Sequence, residues 1–381
     1  MIRSWKSNSF ILFVVTLVIG CVEPFDPPLS STEVGFLVVD GFLDSGTKIA
    51  TIKLSTAVAL DNGNTTNPVR NASVRIEGDD GSNFSVPETS PGIYSIQSNA
   101  IKTGNVYRLR VATNSKEYIS DDVQLKASPI LTDVTWEPDE RGVTIYVDSR
   151  DVAGSTRYYQ WIYTETWEYQ APLYSNLKFI KQTGEVVPRT EDELVYICYN
   201  NETSTKVLIS TTTTNTLDVV NDFPLAFIPV GSAKISRYYS IEVAQRALDE
   251  QAYTYWLNLQ KTTENLGGLF DPLPSEVTGN VHNVKDDSET VLGYFSGGEI
   301  QKKRIFINRD DLPINLISPP ETCEETAIPV GKMKDYIGAE IYVTGTVGQP
   351  VPTHYLTGPG GCVDCRLRGG FLQKPPFWPA R

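Results

Sequence analysis

Residues 72–113 read ASVRIEGDDGSNFSVPETSPGIYSIQSNAIKTGNVYRLRVAT. Ala72, Val74 and Ile76 alternate with other residues, as do Tyr107, Leu109 and Val111, so each set lies on one face of an extended strand and points at a core. Between them DDGS at 79–82 is a turn signal, and GIYSIQ at 92–97 is a further β-type run. The same texture extends in both directions. FLVVDGFL (36–43), KIATIKLSTAVAL (48–60) and the turn DNGNTTNP (61–68) precede the segment, and EYISDDVQL (117–125) follows it. Short strands at this spacing indicate a β-sandwich.

The pattern V-x-N-A-x-V-x-I, D-G, G-x-Y, G-x-x-Y-x-L-x-V resembles immunoglobulin-like modules of the fibronectin or carboxypeptidase-regulatory type, here over residues 33–127. A boundary falls near Ala127 to Pro129. The next part, 128–316, opens with LTDVTWEP (131–138) and GVTIYVDSR (142–150) and then the aromatic run RYYQWIYTETWEYQAPLY (157–174). Tyr159, Trp161, Tyr163, Trp167 and Tyr169 share one parity, interrupted only by Glu165, so they project from one side of a strand. A core face against a second sheet is the preferred reading, and an exposed aromatic platform for a sugar, peptide or protein is the alternative. One helix is expected near 249–265. Asp249 is its N-cap, Ala252, Tyr255, Trp256 and Leu259 are its apolar stripe, and Gly267 and Gly268 stop it. Further strands are expected in EVTGNVHNV (276–284), TVLGYFSG (290–297) and QKKRIFINR (301–309), which makes the second part β-rich with an inserted helix. Residues 317–381 form a Gly/Pro/Cys-rich C-terminal segment expected to pack on that part.

The N-terminus reads MIRSWKSNSFILFVVTLVIGC. Arg3 and Lys6 precede an apolar run from Phe10 to Ile19, the order of a secretory signal over 1–20, and the run is roughly half of the ~20 residues a spanning helix needs. Val18, Ile19, Gly20 and Cys21 match a bacterial lipobox, in which the Cys21 thiolate is the nucleophile that takes a diacylglyceryl group. Acyl chains contribute about 0.8 kcal/mol per buried CH₂, enough for stable anchoring once two are present. Residues 21–32, with prolines and serines and no apolar periodicity, read as a tether. The expectation is an exported, lipid-anchored protein whose body folds outside the cytoplasm, periplasmic or surface-exposed.

The formal charge of −13 becomes −15 when Arg3 and Lys6 leave with the signal. That balance argues against nucleic acid as a partner. At 381 residues and 40% hydrophobic content, two or three cored domains are expected. Beyond Cys21 there are four cysteines, Cys198, Cys323, Cys362 and Cys365, an even number in an exported chain, so two disulfides are the leading reading. Three pairings are possible, and Cys362 with Cys365 and Cys198 with Cys323 is the favoured one.

No H-E-x-x-H, G-x-S-x-G or Walker loop occurs, and only His282 and His354 offer imidazole. His354, Cys362, Cys365 and Cys323 are the sharpest zinc hypothesis, ranked below disulfides because export meets oxidants. A redox C-x-x-C would open a helix, whereas Pro359, Gly360 and Gly361 suggest a loop. The acid pairs Asp121/Asp122, Asp286/Asp287 and Asp310/Asp311 read as solvated turns rather than calcium ligands or glycosidase carboxylates. No catalytic residues, metal or cofactor are therefore expected, and the chain reads as a non-enzyme.

RYYSIEVAQRALDEQAYTYWLNLQ (237–260), GGLFDPLPSEVTGNVHNV (267–284), VLGYFSGG (291–298) and CVDCRLRGGFLQKPPFW (362–378) resemble the outer-membrane lipoprotein family of Bacteroidota catalogued as domain of unknown function 4249. The resemblance departs at Phe371 and Leu372, where relatives carry polar residues after the glycine pair. It implies an accessory or ligand-capturing partner of a TonB-dependent β-barrel receptor, with a peptide or glycan as ligand and no catalytic set. A surface peptide- or glycan-processing enzyme and a structural adhesin are the alternatives.

Overall fold

A computed structural model describes residues 35–57, 67–113, 115–154, 156–264, 277–317 and 321–379. Cys21, the signal segment, the tether and the helix-stop glycines Gly267 and Gly268 lie outside the described residues.

The described residues are mainly β, with two sandwich-like pairs of sheets and one substantial helix inserted. In the first sandwich the strands Leu37–Asp44, Ile49–Thr56, Ile93–Gln97 and Glu88–Ser90 make one sheet, and Glu117–Ser120, Val106–Ala112, Ser73–Gly78 and Asn83–Val86 make the other. The alternating residues meet where expected. Val74, Ile76, Tyr107, Leu109 and Val111 are buried together with Val39, Ile52 and Leu54 from the facing sheet.

Two strands expected in the second part complete this first sandwich instead. Leu292–Gly298 lies parallel to Leu37–Asp44 on the sheet edge, and Val281–Asn283 pairs with Glu117–Ser120. The reason is packing: Phe295 is fully buried in the first core, and a Cβ on Gly41 would lie 2.8 Å from its ring, so the parallel strand fits only beside that glycine. The chain thus leaves the first sandwich near Ala127, builds the second, and returns at 277–298. Glu299 alone separates Leu292–Gly298 from Ile300–Asn308, which belongs to the second sandwich. The two crossings run side by side, with the Glu299 amide donating to the Lys126 carbonyl at 2.9 Å.

The second sandwich stacks a three-stranded sheet, Ile130–Asp139, Gly142–Arg150 and Val219–Pro229, on Ile197–Thr203, Tyr158–Gln170, Tyr238–Leu248 and Ile300–Asn308. Val143, Ile145 and Val147 face Tyr159, Trp161, Tyr239, Ile241 and Val243. The helix Glu250–Thr263 is capped by Asp249, whose Oδ1 accepts from the Ala252 amide at 2.7 Å. Its stripe covers the outer face of the second sheet beside Val207, Ile209 and Leu248. The C-terminal segment forms its own small sheet, Thr326–Pro329, Tyr342–Val347 and His354–Gly358, and packs Ile328, Met333 and Val343 against the hairpin residues Leu177, Phe179 and Val186.

Disulfides hold this segment down, but the favoured pairing is corrected. Cys198 bonds Cys365, and Cys323 bonds Cys362. Cys362 lies in the helical turn Gly360–Val363 and Cys365 starts the next, Cys365–Arg368, while Asp364 between the turns is extended (φ −107, ψ 104), which sends the two thiols to different partners.

Candidate functional site

The aromatic strand is fully buried near its start and partly buried toward its end. Tyr159 and Trp161 are 0% exposed, so a binding platform over the whole set is corrected: the three-stranded sheet covers that face. Both polar tips are satisfied inside, Tyr159 Oη donating to Asp218 at 2.8 Å and Trp161 Nε1 to Gln245 Oε1 at 3.0 Å. Tyr163, Trp167 and Tyr169 are only partly buried. Glu165, the polar interruption, is 5% exposed and accepts from Tyr239 Oη at 2.8 Å and Lys234 Nζ at 2.6 Å. Lys234 also reaches Glu202 at 2.7 Å and lies 5.1 Å from the Trp167 ring. Burial, reinforced by the Glu165 carboxylate, holds the Tyr239 hydroxyl well above its ordinary pKa.

Beyond Trp167 the strand runs into a cleft of ≈ 640 Å³. Three neighbouring strands of one sheet end or begin there. Tyr158–Gln170 delivers Tyr169 and Gln170, the turn before Tyr238–Leu248 delivers Arg237, and the residue after Ile300–Asn308 is Arg309. The C-terminal segment closes the fourth side with Glu321, Thr322 and Arg368. Arg368 is placed by the turn that carries Cys365, so the Cys198–Cys365 bond fixes this wall to the sheet.

The cleft is rich in guanidinium groups. Arg237 Nε donates to Glu168 at 2.6 Å, and Arg368 pairs with Glu321 at 2.7 Å, donates to the Gly361 carbonyl at 2.7 Å and lies 5.4 Å from the Tyr169 ring. Arg309 lines the cleft half-buried, and among the described residues its guanidinium has no acceptor. The Tyr169 hydroxyl is buried and has no hydrogen-bond partner among the described residues, and burial raises its pKa against the opposing pull of Arg368. This arrangement can orient an anion between fixed planar donors. Arg237, Arg309 and Arg368 are far apart in the chain, and sequence reasoning missed them. The available signal was that Arg237 and Arg309 each sit just outside a strand, where a charge can face an open sheet end.

Other sequence candidates take structural places. Cys362 and Cys323 are joined, so neither is a thiolate for zinc, and His354 Nδ1 lies 3.1 Å from Thr353 Oγ1. Asp121, Asp122, Asp286, Asp287, Asp310 and Asp311 are exposed. Asp286 accepts from the Ser288 amide, Asp311 from the Asn308 amide, and Asp121 lies 3.3 Å from His282 Nε2. Phe371 and Leu372 serve the fold. Phe371 exchanges backbone bonds with Tyr199 at 2.8 Å in both directions, and Leu372 packs on the Cys198–Cys365 bridge.

A family model described as Domain of unknown function (DUF4249) matches residues 22–304. No curated protein matches the chain. Among solved structures the chain is similar to the Yersinia pseudotuberculosis adhesin InvE at 10% identity and a TM-score of 0.15, over 85% of this chain and 73% of that one. A score that low establishes no common fold.

Proposed function

The chain belongs to the DUF4249 family, and from that membership we propose that it is a non-enzymatic cell-envelope lipoprotein that captures a ligand as the accessory of a TonB-dependent outer-membrane transporter. The observation that carries the reading is the arginine-lined cleft: three strand ends and a disulfide-fixed tail build an open site whose donors are in place before any ligand arrives. Preorganised donors bind without a large ordering cost, which suits capture. In this reading Cys21 carries the acyl anchor in the outer membrane, and residues 21–32 lift the body from the bilayer. Among the described residues no helix is long and apolar enough to cross a membrane.

Affinity purification from detergent-solubilised outer membranes is the test. Recovery of a β-barrel receptor in stoichiometric amount supports the accessory role. Recovery of the lipoprotein alone, under conditions that preserve known barrel complexes, refutes it.

A further inference from the structure

The wall of the cleft carries an imbalance of charge that the fold does not require. Tyr238 pairs with Asn308, so Arg237 and Arg309 stand opposite one another at the next ladder position, and the Arg309 amide donates to the Arg237 carbonyl at 2.8 Å. Like charges directly across a ladder repel. Glu168 neutralises Arg237 and Glu321 neutralises Arg368, which leaves Arg309 as the surplus cation. A chain of net charge −13 has ample carboxylates to answer it, yet among the described residues none does. The nearby polar tip, the Tyr169 hydroxyl, is also unanswered.

We propose that this cleft binds an organic anion through an oxyanion group, a carboxylate, sulfate or phosphate, seated on Arg309 with Arg237 and Arg368 flanking it. A planar guanidinium meets two oxygens of such a group at once, and a half-buried setting with a ring beside Arg368 weakens competition from water. At ≈ 640 Å³ the cleft falls in the size range of small-molecule sites and holds far more than one inorganic ion. The oxyanion is therefore the anchored end of a larger molecule, whose body lies along Gln170, Ser236 and Thr322. This assignment deepens the ligand-capture reading and rests on it for the purpose of binding.

The test is calorimetric titration of the purified full chain at low ionic strength with galacturonate, inorganic sulfate and inorganic phosphate, with glucose as the neutral control. Saturable binding of one or more of the three anions is expected, with none for glucose. Arg309→Gln is expected to weaken it at least tenfold, and Arg309→Lys to restore part of the loss. Binding of galacturonate alone assigns an organic carboxylate, and binding of all three assigns the oxyanion itself. Absence of saturable binding to every anion, or unchanged affinity in Arg309→Gln, overturns the proposal. The melting temperature of Arg309→Gln is expected to equal or exceed the wild type, because repulsion with Arg237 is gone, so lost binding is not lost folding. Anion binding without a copurified barrel refutes only the transporter role, and a barrel without anion binding refutes only the ligand class.

Discussion

Replacing Glu165 by leucine tests how the second sandwich tolerates a carboxylate in an aromatic core face. The substitution leaves the Tyr239 hydroxyl, fully buried, without its acceptor at 2.8 Å, and an orphaned buried donor costs about 1–3 kcal/mol. It also removes the charge-assisted bond from Lys234 at 2.6 Å, a class of bond worth about 1.5–3 kcal/mol net. Lys234 keeps Glu202 at 2.7 Å, so the total belongs near the lower end of what breaking a buried pair costs, about 3 kcal/mol. Urea unfolding followed by tryptophan fluorescence reads this selectively, because Trp136, Trp161, Trp167, Trp256 and Trp378 all lie in or against the second sandwich and the first has none among the described residues. The double variant Glu165→Leu, Tyr239→Phe removes the orphan and is expected to recover about 1–2 kcal/mol. A single variant within about 0.5 kcal/mol of wild type, the scatter of an ordinary surface change, refutes the reasoning, as does a double variant no better than the single.

Peptide mapping without reductant is expected to recover Cys198 linked to Cys365 and Cys323 linked to Cys362. Loop-closure entropy then ranks their loss, up to about 5 kcal/mol for Cys365→Ser at a separation of 167 residues and about 4 for Cys362→Ser at 39, read by chemical denaturation. Phe295→Ala is expected to destabilise the first sandwich by about 3–5 kcal/mol, measured by hydrogen exchange at the Val74 and Ile76 amides, although the mutated residue lies far downstream of them. Hydrogen bonding from Arg110, with Arg108 adding to it, holds the Glu77 carboxyl below its ordinary value of 4.5 in the folded state. Its contribution is therefore complete above about pH 4.5 and is lost as pH falls through the folded value. Scanning calorimetry between pH 6 and pH 3 is expected to show a shallower acid decline for Glu77→Gln than for wild type.

Local structure was readable where a single periodicity determines it. Val74, Ile76, Tyr107, Leu109 and Val111 reached the core because alternation along a strand allows only one inward face. Asp249 became a cap because its carboxylate meets the free amide three residues ahead, that of Ala252. The family, too, was legible, through segments such as 237–260 and 291–298 that the matching model spans. Long-range partnership was not. A period of two names a face and leaves the sheet unnamed, so the sequence places Leu292–Gly298 only in the downstream β-rich part, and the slot beside Gly41 decides its pairing with the first sandwich. Cysteine pairing turned on one extended residue, Asp364, that composition does not announce. The cleft was invisible for the same reason, since Arg237, Arg309 and Arg368 meet only after three strands and a crosslinked tail have been brought into line.

The return of the chain at 277–298 has a consequence for the order of events during synthesis. A nascent chain that has emerged only through residue 127 holds most of the first sandwich but has a furrow along the edge of Leu37–Asp44, the size of one strand and floored by apolar side chains. Until some 170 residues later, that furrow is a template for any extended segment that arrives first, including residues 291–298 of a neighbouring molecule. Completion of the first sandwich therefore waits until the chain has been made through residue 298, and a fragment ending at the apparent boundary is expected to exchange strands between copies instead of remaining monomeric.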